Sequence, residues 1–224
     1  MKPIYGYLLG LCLLGTIVPK ALAGEPAYRG SLYYEQRASL FRSLPTTKGA
    51  TIFLGNSITD GSEWGELFPG KRILNRGISG DVTRGVLARL DEIVRHEPAK
   101  VFLLIGINDL AGGRAADQVC RDIFLIVRQI RQQSPQTKVY VQSILPVHSG
   151  YKKFASISDK GTLIKEINKV LASHATREHY TYIDLHTQMA DGAGELREEF
   201  TNDGLHLMGA AYTHWARLIA KYLD

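Results

Sequence analysis

The sequence predicts a single-domain α/β fold in three layers, with helices on both faces of a mostly parallel five-stranded sheet. Two observations carry this expectation. Short apolar runs rich in β-branched and aromatic residues alternate along the chain with longer segments of helical spacing, and the links between them are short. Strands separated by helices in this way join in parallel, through crossovers that are right-handed by default. At 224 residues, 45% of them hydrophobic and 22% charged, the chain is long enough for one sizeable core and has an ordinary globular composition.

In chain order, Lys2 is followed by an almost wholly apolar run from Ile4 to Val18 and an A-x-A site at Ala21-Leu22-Ala23. This is the layout of a secretory signal peptide. Residues 1–23 are therefore expected to be removed, residues 24–224 to form the domain, and the product to be secreted or periplasmic. The run is short for a bilayer-spanning helix, which needs roughly 20 apolar residues, so no membrane span is expected after leader removal. The leader holds Lys2 and Lys20 and no acid, so its loss brings the formal charge of +5 closer to neutrality. So mild a balance does not call for a nucleic-acid partner. Of the two cysteines, Cys12 leaves with the leader, and Cys120 alone makes no intramolecular disulfide. Cys120 falls in a helical apolar rhythm and reads as packing rather than as a nucleophile.

Residues 24–50 read as an irregular or helical lead-in. Thr51–Leu54, Ile73–Leu74, Val101–Ile105, Val139–Val141 and Tyr180–Ile183 read as strands, by their β-branched and aromatic content. Val82–Arg95, Asp117–Gln133, Thr162–His174 and about Ala210–Tyr222 have the three-to-four residue repeat that buries one stripe of a helix.

Working groups in such sheets gather at the carboxyl ends of the strands, and polar clusters stand there. Gly55-Asn56-Ser57-Ile58-Thr59-Asp60-Gly61 follows the first strand. On its own, Ser57 reads equally as a nucleophile on a tight turn or as a helix cap. Thr59 occupies the second glycine position of G-x-S-x-G, so this is not that elbow. Asn75-Arg76-Gly77-Ile78-Ser79-Gly80-Asp81 follows the second strand, with glycines able to bring backbone N–H groups near a ligand and Asp81 able to cap a helix. Gly106-Ile107-Asn108-Asp109 follows the third, where Asn108 either points an amide into the crevice or bonds its own backbone. Near the end, Thr201-Asn202-Asp203-Gly204-Leu205-His206 sets a carboxylate three residues before an imidazole. A serine hydroxyl needs such a base, and the base needs a third group to orient it. Asp184 with His186 is the one competing pair.

Taken together and in order, GNSITDG, NRGISGD, GIND and NDGLH closely resemble the four blocks of the SGNH, or GDSL-type, serine hydrolases. Within them the chain is most similar to platelet-activating-factor-acetylhydrolase-like and bacterial sugar O-acetylesterase members. The resemblance implies a flavodoxin-like sheet and a catalytic triad of Ser57 as nucleophile, His206 as base and Asp203 as its orienting acid. It implies an oxyanion hole made by the backbone N–H of Ser57, the backbone N–H of Gly80 and the side-chain amide of Asn108. Gly80 is chosen over Gly77 as the glycine directly before the aspartate. One departure is visible, since the G-D-S of the family reads Gly55-Asn56-Ser57 here. The activity implied is hydrolysis of short-chain, acetyl esters of a small molecule or glycan. A longer-chain lysophospholipase or thioesterase, or a silent carbohydrate-binding domain, are the alternatives. The polar and aromatic stretch Pro146–Asp159 lacks the long apolar lid that long chains would suggest. No metal-ligand pattern or phosphate-binding motif is present, so no metal and no cofactor are expected.

Overall fold

A computed structural model describes residues 28–224 of the chain; the predicted leader lies outside them. The lead-in carries helix α1 (Leu32–Ser43), capped by the Ser31 hydroxyl accepting the Tyr34 N–H. Then come β1 (Thr51–Gly55), α2 (Ser57–Asp60), α3 (Trp64–Leu67), β2 (Ile73–Gly77), α4 (Thr83–Leu87) and α5 (Leu90–Val94). β3 (Lys100–Leu104), α6 (Ile107–Ala111), α7 (Ala116–Gln133) and β4 (Lys138–Gln142) follow. The chain ends with α8 (Ala155–Ser158), α9 (Gly161–His174), β5 (Thr181–Ile183), α10 (His186–Met189) and α11 (Gly209–Ile219).

The strands are ordered β2-β1-β3-β4-β5, and every pairing is parallel. In this order the chain direction across the sheet reverses between β1 and β3, and the crevice beyond their carboxyl ends is where such folds bind ligands. The register aligns Phe53 with Phe102 and Phe102 with Tyr140. Their rings stack across the sheet, at centroid separations of 5.0 Å and 4.6 Å. Trp64 stacks on Phe53 at 4.0 Å, and Trp215 of α11 meets Trp64 edge-on. Because side chains alternate along a strand, Ile52, Leu54, Val101, Leu103, Val139 and Val141 turn to the other face, and all are buried. α7 matches its expected span and buries Cys120 with Ile123, Phe124, Val127 and Ile130. Burial raises the Cys120 thiol to about 11, so it stays protonated and inert at neutral pH.

Two expectations are corrected. The second strand runs on through Asn75 and Arg76 to Gly77, so those residues belong to the sheet rather than to the loop after it. The helix predicted over Val82–Arg95 is two short helices with a break at Ala88 and Arg89. The break falls where Arg89, 1% exposed, turns inward. Its Nε donates to Asp81 Oδ2 at 3.0 Å, and Nη2 donates to the carbonyls of Arg76 at 2.9 Å and Gly55 at 3.3 Å. A buried guanidinium is tolerated only when paired in this way, and it ties the ends of β1 and β2 to the loop that follows β2.

Candidate active site

Ser57 is the first residue of α2, at the carboxyl end of β1. The cap of that helix is Asn56, whose Oδ1 accepts the Ile58 N–H at 3.1 Å. Asparagine caps about as well as aspartate, so the departure from G-D-S keeps the cap and leaves the serine hydroxyl to other partners. At its far end α2 is fastened by donors from elsewhere in the fold. Trp64 Nε1 donates to the Thr59 carbonyl and Tyr212 Oη to the Ile58 carbonyl, both at 2.9 Å.

Ser57 Oγ lies 3.0 Å from His206 Nε2, and His206 Nδ1 lies 2.9 Å from Asp203 Oδ2. The other carboxylate oxygen of Asp203 accepts the backbone N–H of His206 at 2.8 Å and of Leu205 at 3.0 Å. Burial pushes the Asp203 carboxyl up, but the hydrogen bonds from the His206 side chain and those two N–H groups outweigh it and hold it below the usual range. An ionised carboxylate at Nδ1 places the ring proton there and leaves Nε2 as an acceptor for the serine proton.

The second and third blocks converge on the first. Gly77 packs so closely on α2 that a Cβ there would lie 2.1 Å from the Asp60 nitrogen, and Ile78 N–H donates to the Gly55 carbonyl at 3.1 Å. The chain then turns, with Asp81 N–H bonding the Ile78 carbonyl at 3.0 Å and Gly80 at φ +82°, a left-handed conformation suited to glycine. Asp81 does not cap the following helix as expected; the Thr83 N–H goes instead to Asp109 Oδ2 at 3.0 Å. Asn108, the second residue of α6, donates its amide to the Asp81 carbonyl at 2.9 Å. That contact orients the side chain, and an amide nitrogen carries a second hydrogen.

The competing pair does not assemble. Asp184 accepts from the Thr187 N–H and hydroxyl, it shares no hydrogen bond with His186, and burial pushes the His186 imidazole down.

A strand-end serine joined to a histidine and an aspartate from a loop 149 residues later, beside a glycine turn and an asparagine, can accept a proton, attack an acyl carbon and donate to an oxyanion. The profile of the GDSL-like Lipase/Acylhydrolase family matches residues 53–214. The chain belongs to that family. Among proteins similar to this GDSL-like acylhydrolase is human platelet-activating factor acetylhydrolase IB subunit alpha1, 28% identical over 178 residues, 77% of this chain and 74% of the relative. The rat alpha2 subunit is 30% identical over 167 residues, 72% of this chain and 70% of the relative. A solved structure from Streptococcus pneumonia named for platelet activating factor superposes at a TM-score of 0.77. It is 27% identical and covers 86% of this chain and 93% of its own. A GDSL-like lipase from Bacteroides thetaiotaomicron superposes at 0.74, with 24% identity and coverage of 85% and 96%.

Several side chains of this GDSL-like fold stand at the site without having been singled out by sequence. Lys153 Nζ lies 3.9 Å from Asp203 Oδ2, and the Phe154 ring meets the His206 ring edge-on at 5.2 Å. Both lie in the polar and aromatic stretch Pro146–Asp159, and only the tertiary contact brings them to the triad. Asp60 bonds Ser79 and Tyr33, and Arg89 holds the block-two loop. The acidic and basic letters were visible, but a contact across 19 or 27 residues has no periodic signal.

Proposed function

We propose that the chain is a secreted serine esterase that removes short acyl groups, acetyl foremost, from a small-molecule or O-acetylated carbohydrate ester. The observation that carries this reading is the unbroken line of hydrogen bonds from Ser57 through His206 to Asp203. His206 Nε2 takes the proton of Ser57 as Oγ attacks the ester carbonyl, and the oxyanion receives the backbone N–H groups of Ser57 and Gly80 and the Asn108 amide. Nε2 then returns the proton to the departing alcohol. Water, deprotonated by the same nitrogen, releases the acid from the acyl-serine. The acetyl preference is supported by the acetylhydrolases among the relatives, the carbohydrate alcohol by the resemblance of the four blocks, and export by the leader sequence.

The test is hydrolysis of p-nitrophenyl esters from acetyl to palmitoyl, together with labelling by a fluorophosphonate. Acetate is expected to be released fastest, with one label per chain at Ser57. Ser57→Ala should lower turnover by about 10⁶-fold, by the precedent of a serine protease, and abolish labelling. Wild-type turnover in that variant would end the proposal, and faster cleavage of palmitoyl esters would replace its acyl preference.

A further inference from the structure

Asp60 closes α2, one turn beyond Ser57, and its carboxylate gathers three groups from two other parts of the chain. Oδ2 accepts the Ser79 hydroxyl and the Tyr33 hydroxyl, each at 2.9 Å, and Arg37 Nη2 stands 3.6 Å from Oδ1. Tyr33 and Arg37 lie on α1, which precedes the span matched by the family profile. The same helix grips the loop after β2 and the helix α4 that follows it, at one point each. Ile78, 0% exposed, packs among Tyr34, Ala38 and Phe41, and Tyr34 Oη donates to the Gly85 carbonyl at 2.8 Å.

What lies between those points is a turn whose central peptide joins Ser79 to Gly80. Turns of types I and II differ by a flip of that peptide, and a positive φ at the third position marks type II. Gly80 at φ +82° fits it, but a glycine resists a flip less than any other residue. The flip reverses the direction of the Gly80 N–H. Ser79 is the residue through which the rest of the protein can hold this peptide, and Asp60 holds Ser79 from the helix that carries the nucleophile.

We propose that Asp60, through Ser79 and braced by Tyr33 and Arg37 of α1, is a positioning residue that fixes the Ser79–Gly80 peptide so that the Gly80 N–H faces the oxyanion. The inference rests on the esterase reading above and adds residues to it. The magnitude is bounded: freeing the peptide forfeits no more than one oxyanion donor, about 10²–10³-fold in kcat. Substrate binding does not use the donor, so KM stays near its wild-type value.

The experiment measures kcat and KM for p-nitrophenyl acetate in Ser79→Ala, Asp60→Ala, Asp60→Asn, Tyr33→Phe and the Ser79→Ala/Asp60→Ala pair. Endpoint fluorophosphonate labelling counts the intact sites in each. Ser79→Ala and Asp60→Ala should each lower kcat about 10–10³-fold, with KM within about threefold and full endpoint labelling. The pair should be no slower than the worse single variant. Because both hydroxyls bond the same oxygen, Asp60→Asn keeps an acceptor for them and should recover most of the loss. Tyr33→Phe should cost only a few-fold. The inference is overturned if Ser79→Ala keeps wild-type kcat, or if Asp60→Asn falls as far as Asp60→Ala. It is also overturned if the labelled fraction drops in step with kcat, which would mark plain misfolding. A wild-type protein that neither hydrolyses nor labels would instead remove the esterase reading, and this one with it.

Discussion

Asn108 uses one amide hydrogen on the Asp81 carbonyl and, in the proposed mechanism, the other on the oxyanion. Asn108→Ala should therefore lose both a donor and the link between blocks. A fall in kcat of about 10²–10³-fold at nearly unchanged KM is expected, the usual worth of one such donor. Asp203→Asn keeps the shape but disturbs the tautomer of His206, and about 10⁴-fold is expected from the general template. Asp203 also bears on how the site responds to pH. Its carboxyl is held below the usual range, so its contacts with the His206 loop are fully present above the unfolded value of about 4 and fade only as pH falls through the lower folded one. The carboxylate should thus stay ionised above about pH 4 and add no proton uptake of its own to the acid side of a kcat/KM profile. A second-power fall above pH 4 in that profile would show that the carboxylate titrates in that range after all. At this scale the pairing of Asp203 with His206 was legible in the sequence, because the two stand three residues apart on one loop. Ser57 could not be told from a helix cap until Asn56 was seen to fill that role.

Among the elements, the divided helix after the second block is the instructive one. Val86, Leu90 and Ile93 keep a helical rhythm across it, so periodicity alone predicts one helix. The break is set by the charge of Arg89 and its need for Asp81, which lie on the same stretch but pair only in three dimensions. Burial pushes the Asp81 carboxyl up to about 6 even beside Arg89. Arg89→Leu would leave that acid buried without its counter-charge, and a loss of about 3–5 kcal/mol is expected in denaturant unfolding. A folded-state value raised above the unfolded one favours folding below the unfolded value and costs stability as pH rises through the folded value. The deficit of Arg89→Leu should therefore be smaller at pH 5 than at pH 8. An equal deficit at both would mean that Asp81 is not the group exposed to the loss. Four of the strands, by contrast, were legible almost to their ends, whereas the second was read only at Ile73 and Leu74 because Asn75 and Arg76 break its apolar run.

For the molecule as a whole, a parallel sheet was foreseeable from the alternation of strand and helix, whereas the packing that joins α11 to earlier parts of the chain was not. Trp215, near the C-terminus, meets Trp64 and donates its indole N–H to Gln142 Oε1 at 2.8 Å. Trp215→Ala should cost about 3–5 kcal/mol, read as a fall in Tm of roughly 2–4 °C for each kcal/mol. A loss under 1 kcal/mol would mean that the aromatic column tolerates its removal. Tyr212, one turn earlier on α11, grips the helix that bears Ser57. The separation of 149 residues between the serine and its histidine reaches beyond geometry to the timing of activity. Under the proposed mechanism a nascent chain still lacking its final segment carries a nucleophile with no base, and is inert toward any ester it meets. Hydrolysis then begins only once the segment that carries Asp203 and His206 has been made and has folded onto the helix that bears Ser57.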